Sequence, residues 1–190
     1  MDKVYITANE LLLDSYRLGI KILNSGFKPD YIVGIWRGGT PVGIAVQEIL
    51  HYLGVESDHI AIRTSSYYGI DKQSRKIRVH GLEYILNNIN NEDSLLLVDD
   101  VYDSGRSVQA VIETLQRKAR RNIPHDIRIA VPWFKPHRNV TDIEPNFYIH
   151  TTDDWLVFPH ELDGLDEKEI FDNKPGLEEI LKGYQKSASK

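Results

Sequence analysis

The sequence has no cysteine among its 190 residues. Disulfide frameworks, thiolate metal sites and cysteine nucleophiles are therefore excluded together. Long hydrophobic runs are missing too. Nowhere do 18 apolar residues stand in succession, so nothing reads as a membrane span. The opening Met1-Asp2-Lys3-Val4-Tyr5 lacks the apolar stretch of a signal peptide. Surplus positive charge is also absent. Twenty-three Lys and Arg face 28 Asp and Glu, a net charge of −5, which matches nucleic acid poorly. The seven histidines show no metal-ligand spacing, and neither a Gly-x-Ser-x-Gly elbow nor a Walker loop occurs. What is present is ordinary for a globular chain: 41% hydrophobic and 27% charged residues. The expectation is a cytoplasmic protein with one full core and a small appendage.

Apolar periodicity lays out the chain. Thr7-Ala8-Asn9-Glu10 reads as a capping box opening a helix that carries Leu12, Leu13, Tyr16, Ile20 and Leu23. Tyr31 to Trp36 is a short apolar run and reads as a buried strand. Pro41 suits the first position of the next helix, whose stripe is Val42, Ala45, Val46, Ile49, Leu50 and Leu53. His59 to Arg63 reads as a second strand, and the polar stretch Thr64 to His80 as a long mobile loop or hairpin. A short helix at 82–89, a buried strand Ser94 to Val98, a helix carrying Val108, Val111, Ile112 and Leu115, and a strand Asp126 to Val131 follow. The basic run Arg117 to Arg121 suits a helix C-terminus. Strands alternating with helices predict an α/β fold, a mainly parallel twisted sheet with helices on both faces. Phe147 to His150 and Trp155 to Phe158 lie close together with no helix between them and suggest a small flap beside the sheet. Beyond Gly164 the chain is charged, with one helix expected around Leu177 to Leu181 and a frayed end.

One stretch carries the chemistry: Leu95-Leu96-Leu97-Val98-Asp99-Asp100-Val101-Tyr102-Asp103-Ser104-Gly105-Arg106-Ser107. A buried strand runs straight into an acid pair, then a third acid, then a glycine flanked by hydroxyl residues, then a helix. In open α/β sheets ligands bind where strands end and helices begin. A helix start offers unpaired N–H groups to a phosphate, Gly105 lets the backbone close on an anion, and Ser104 and Ser107 can donate hydroxyls. Asp99 and Asp100 suit sugar hydroxyls or a divalent metal. Alone, Asp103 or Ser104 could simply cap the helix; the ordered succession of all four features points to a ligand.

This arrangement resembles the ribose-phosphate-binding signature of the type I phosphoribosyltransferases: an apolar strand, two acids, a spacer, then Thr-Gly-x-Thr. Serine stands at both threonine positions here. Asp103 directly before the Ser-Gly is the form of the branch that uses 6-oxopurines. Three further segments agree. Arg37-Gly38-Gly39 ends the first strand, where that family has its pyrophosphate loop. Ser66-Tyr67 is similar to the dipeptide of its mobile catalytic loop. Phe134-Lys135-Pro136 and Trp155-Leu156-Val157-Phe158-Pro159-His160-Glu161 resemble its base-binding part, with His160 where a second Trp is common.

The resemblance implies a phosphoribosyltransferase domain over 1–164, with a core at about 28–135 and a base-binding hood from about 136–164 joined by the N-terminal segment. Residues 165–190 would be a charged helix and tail. It implies purine salvage: Mg²⁺-dependent transfer from phosphoribosyl pyrophosphate to N9 of hypoxanthine, guanine or xanthine. Asp99 and Asp100 would hold the ribose hydroxyls and metal, with Glu161 helping a second ion. The 5′-phosphate would sit on Asp103, Ser104, Gly105, Arg106 and Ser107, and the pyrophosphate on Arg37, Gly38 and Gly39. Asp103 would be the general base, Lys135 would meet the purine O6, Trp155 would stack on the ring, and Leu156 would lie with them against the purine. Relatives are usually dimers or tetramers, so a homo-oligomer is expected, with no nucleic-acid or membrane partner. The alternatives are a regulator of the same fold that senses phosphoribosyl pyrophosphate or a nucleotide, and a transferase for another base.

Overall fold

The computed structural model describes residues 3–68 and 75–188. The middle of the expected loop, 69–74, and the two residues at each end of the chain lie outside them. The elements in chain order are β1 (Lys3–Tyr5), α1 (Ala8–Asn24), β2 (Tyr31–Trp36), α2 (Gly39–Tyr52), β3 (Asp58–Tyr68), β4 (Arg75–His80), α3 (Glu83–Asn88) and β5 (Ser94–Val98). They continue with β6 (Val101–Tyr102), α4 (Arg106–Ala119), β7 (Asp126–Phe134), β8 (Phe147–Thr151), β9 (Trp155–Val157), α5 (Glu167–Asn173) and α6 (Leu177–Ala188). Short 3-10 turns occupy Arg120–Asn122 and Pro136–Arg138. By contacts the chain divides into two units, Asn9–Asp153 and the pair of segments Met1–Ala8 and Asp154–Lys190.

The larger unit is a sheet in the order β4-β3-β2-β5-β7, with β6 and β8 both paired to β7. Trp133 pairs with Val101 of β6 and with His150 of β8, so β8 lies on the side of β7 away from β5 and β6. Every pairing is parallel except β3 with β4. This is the expected α/β class. β5 shows why helices cover both faces. Leu95 and Leu97 join a cluster with Ile85 of α3 and with Val108, Val111 and Leu115 of α4. On the other face Val98 meets α2 at Gly43, where a Cβ would lie 4.0 Å from the Val98 Cβ. All four of Leu95 to Val98 are fully buried, as a strand covered on both faces requires. Gly19 lets α1 close onto α2, since a Cβ there would overlap the Ile49 side chain.

Several boundaries differ from the sequence reading. α2 begins at Gly39, two residues before Pro41. The second strand runs on through the hydroxyl residues to Tyr68 and pairs antiparallel with β4, so the described ends of the polar stretch are a hairpin. Phe147–Thr151 is no flap strand; it joins the main sheet beside β7. In the smaller unit β1 pairs parallel with β9, and a helix that the sequence reading lacked, α5, begins at a complete capping box between Asp166 and Glu169.

Candidate active site

The site grows out of the end of β5. Asp99 keeps the strand's direction by donating its N–H to Ala130 O of β7 at 3.2 Å. The chain then passes through β6 into the turn 103–105. Gly105 has φ +76°, and a Cβ on it would come within 2.6–2.8 Å of Thr141 Oγ1, Tyr102 OH and Asn139 Oδ1. Only glycine fits that conformation and that contact. Gly105 is also the N-cap of α4, and no side chain caps the helix. Neither Asp103 nor Ser104 is therefore used as a cap. The turn encloses a hollow of about 230 Å³ lined by 99–105 with Ser107 and Val108. Among the described residues the hydroxyls of Ser104 and Ser107 bond to nothing, so hydroxyl and backbone donors are available around an open space. That is the chemistry of an anion cradle.

The acid pair meets a second loop. A Cβ on Gly38 would overlap the Asp100 carboxylate, and one on Gly39 would come 2.5 Å from Val98 O and 2.8 Å from Asp99 Cα. Two glycines after β2 are thus what allows the two strand ends to touch. The peptide between Trp36 and Arg37 is cis, and Arg37 is exposed. Burial pushes the Asp99 carboxyl well above its ordinary range, and the Asp100 charge adds to the rise; the N–H groups of Asp100 and Gly39 oppose it. The Asp100 N–H lies 3.0 Å from Asp99 Oδ1. Two carboxylates so placed favour a cation or several hydroxyl donors between them. Among the described residues no three His, Asp or Glu side chains converge into a metal cluster. The pair fits a hard cation that draws its other oxygens from substrate and water.

Asp103 stands on the far side of the turn between two cations. Its Oδ1 is 2.9 Å from Arg138 Nε, and its Oδ2 is 3.5 Å from Lys135 Nζ. Lys135 is 5% exposed, so its Asp103 contact is shielded from water. Backbone bonds fix both cations: Lys135 N donates to Tyr102 O at 2.9 Å, and Arg138 N to Lys135 O at 3.1 Å. Arg138 was absent from the sequence reading. The signal for it was Lys135-Pro136-His137-Arg138, where proline opens a 3-10 turn that brings the second cation round beside the first.

The remaining residues singled out are carried by other elements. Ser66 is on β3. Tyr67, also on β3, stacks under the Arg78 guanidinium at 4.4 Å. In the smaller unit Trp155 is 52% exposed, with Lys3 Nζ 5.8 Å from its ring centre. Leu156 is buried beside it in β9. Glu161 accepts the Phe158 N–H at 3.1 Å, and Lys174, from beyond α5, donates to Phe158 O at 2.6 Å. Burial pulls the Lys174 ammonium down while Glu161 holds it up. Phe158 and His160 stack at 5.8 Å between ring centres.

Known proteins resemble this chain over most of its length. The phosphoribosyl transferase domain model matches residues 6–164. A hypoxanthine-guanine phosphoribosyltransferase of Lactococcus lactis is 24% identical over 92% of this chain and 88% of its own. The bifunctional protein PyrR of Corynebacterium diphtheriae is 28% identical over 73% of this chain and 74% of its own. Among solved structures, a purine phosphoribosyltransferase from Pyrococcus horikoshii superposes with a TM-score of 0.69 at 29% identity, covering 88% of this chain and 99% of that one. With a domain match across most of its length and this turn at its centre, the chain belongs to the phosphoribosyl transferase family and has the type I fold.

Proposed function

We propose that the protein transfers the phosphoribosyl group of phosphoribosyl pyrophosphate to N9 of a 6-oxopurine, releasing pyrophosphate and leaving a nucleoside 5′-monophosphate. The observation that carries this reading is Asp103, a carboxylate at the phosphate turn braced by buried Lys135 and by Arg138. The 5′-phosphate rests on the N–H groups of 103–107 and on the Ser104 and Ser107 hydroxyls. Asp99 and Asp100 take the ribose hydroxyls. Arg37 and the open backbone of Gly38 and Gly39 face the pyrophosphate. The bond from C1′ to the pyrophosphate oxygen breaks, the C1′–N9 bond forms, and Asp103 accepts the proton of the purine's imidazole ring. Lys135 carries three donors and no acceptor, so it turns to an O6 that gains negative charge and rejects a 6-amino group. Trp155 and Leu156 are assigned to the purine, and the hairpin bearing Ser66 and Tyr67 to excluding water.

Mg²⁺ belongs to the same reading. Asp99 and Asp100 would hold it, and Glu161 is assigned to a second ion. When bound, it supplies positive charge to the departing pyrophosphate.

The test is pyrophosphate release from phosphoribosyl pyrophosphate with a panel of bases, with and without Mg²⁺. Turnover with hypoxanthine, guanine or xanthine and none with adenine or uracil is expected. Turnover with adenine alone would remove the Lys135 assignment. No release with any base would favour a ligand-sensing regulator, a role in which a braced Asp103 has no use.

A further inference from the structure

The basic residues at the end of α4 find no partner in the chemistry above. Arg106, Arg117 and Lys118 of α4, with Arg78 and His80 of β4 and Tyr67 of β3, line a cavity of about 740 Å³. That volume suits a small-molecule site. The α4 side of the cavity is a single helical face: 106, 109, 110, 113, 114, 117 and 118 recur at the helical period. From Arg106 to Arg117 it extends about 16 Å at the helical rise. Ala110 in the middle leaves room, and Gln109 and Glu113 bond to each other at 3.0 Å. Glu113 is the one carboxylate in the lining. Among the described residues Arg78, Arg106, Arg117 and Lys118 make no ion pair. Arg78 only stacks on Tyr67, and His80 meets Ser65 Oγ at 3.0 Å.

Four cations around one hollow repel each other unless an anion joins them. A helix C-terminus explains Arg117 and Lys118, but not Arg78 on the facing strand or Arg106 at the other end of the helix. A single phosphate cannot reach cations spread over such a length. A chain of phosphates can, and guanidinium forks are matched to its oxygens. We propose that this cavity is a second site, distinct from the phosphate turn, for a small anion carrying two or more linked phosphoryl groups. Such an anion ties β4, one arm of the hairpin, to α4. Glutamine at the centre and the tyrosine ring add the hydrogen bonding and stacking that a nucleotide's base uses, so free polyphosphate and a nucleoside triphosphate are its two sources.

The test is calorimetric titration of the full chain at low salt with tripolyphosphate and, separately, with ATP. The double substitution Arg117→Ala/Lys118→Ala is the comparison. Both positions are exposed and remote from the proposed chemistry, so turnover without added ligand stays at the wild-type level. Expected is one binding site fewer per chain in the variant, or at least a tenfold weaker second site. The single substitution Lys118→Glu should give the same direction. Because the readout is a difference in site number, it holds whether or not tripolyphosphate also enters the pyrophosphate loop, and whether or not the chain transfers phosphoribose. Tighter binding of ATP than of tripolyphosphate assigns a nucleotide; equal binding assigns the phosphate chain alone. Identical isotherms for wild type and variant overturn the proposal. So does a single-stranded oligonucleotide that binds through Arg117 and Lys118 where neither small anion does.

Discussion

Two carboxylates in this protein have opposite fates. Asp99, at the end of the central strand, is half-buried next to buried Asp100 and is held well above its ordinary titration range. Glu169, in the smaller unit, lies 2.6 Å from Lys3 Nζ and 3.1 Å from Tyr5 OH, and accepts the Asp166 N–H at 3.0 Å. The Lys3 bond pulls it down to about 2, and the Asp166 N–H helps. Glu169 has every partner within the chain; Asp99 has a like charge for a neighbour. The difference separates an anchor from a site. A carboxylate satisfied by its own chain ties segments together, whereas one left with a like charge is built for partners that arrive with a ligand.

The comparison is tested most severely by the third acid of the turn. Asp103→Asn keeps the size and the hydrogen-bonding shape but cannot take a proton. Turnover should fall by about 10²- to 10⁴-fold, and Tm should fall as well, because buried Lys135 loses its counter-charge. Wild-type turnover in that variant would reduce Asp103 to a mere partner of Lys135 and Arg138. Gly39→Ala comes next. Its methyl would press on Val98 O and Asp99 Cα, which are backbone and cannot swing aside. A loss on the order of 1–3 kcal/mol is expected from overpacking, with a higher KM for phosphoribosyl pyrophosphate because the two loops are forced apart. A variant with both stability and KM unchanged would show that the loops need not touch.

Much of this could be read in advance, and the parts that could not share a cause. β2 and β5 are apolar runs bounded by turns, and α2 and α4 carry stripes at helical spacing, so local pattern was enough. The Asp99 to Ser107 turn was readable because strand, acids, glycine and helix follow one another along the chain. β8 was misplaced because five residues of mixed polarity do not say which strand they join. The stretch after Arg63 left loop and hairpin both open because Thr64 to Ser66 is polar, and strands exposed to water at a sheet edge need no apolar alternation to mark them. Arg138 and the approach of Gly38 to Asp100 were invisible for another reason. Each is a contact between segments far apart in sequence, and nothing in the local pattern records it.

Asp99→Asn sharpens the contrast from the stability side. A carboxyl raised in the folded state keeps a proton that the unfolded chain gives up. From its ordinary value of 3.8 upward, stability therefore falls as pH rises, until the folded-state group has ionised too. Asparagine removes that slope. The variant should melt higher than wild type at neutral pH, by roughly 2–4 °C for each kcal/mol relieved, while losing activity. A lower Tm at neutral pH would mean that Asp99 is already satisfied, and the contrast with Glu169 would fail.

Glu169→Gln is the mildest test and has the opposite sign. Its folded-state value of about 2 lies below the ordinary 4.5, so its contribution is fully present above pH 4.5 and is lost as pH falls toward about 2. Glutamine keeps one acceptor oxygen, enough for the Asp166 N–H or the Tyr5 hydroxyl that Glu169 takes on separate oxygens, and it gives Lys3 no charge. The variant should melt slightly below wild type at neutral pH, and the two melting curves should converge as pH approaches 2. Salt should narrow the gap, because the pair is partly open to solvent. Turnover should be unchanged. A gap that persists undiminished at low pH would show that the capping bonds, rather than the charge pair with Lys3, hold the start of α5 in place.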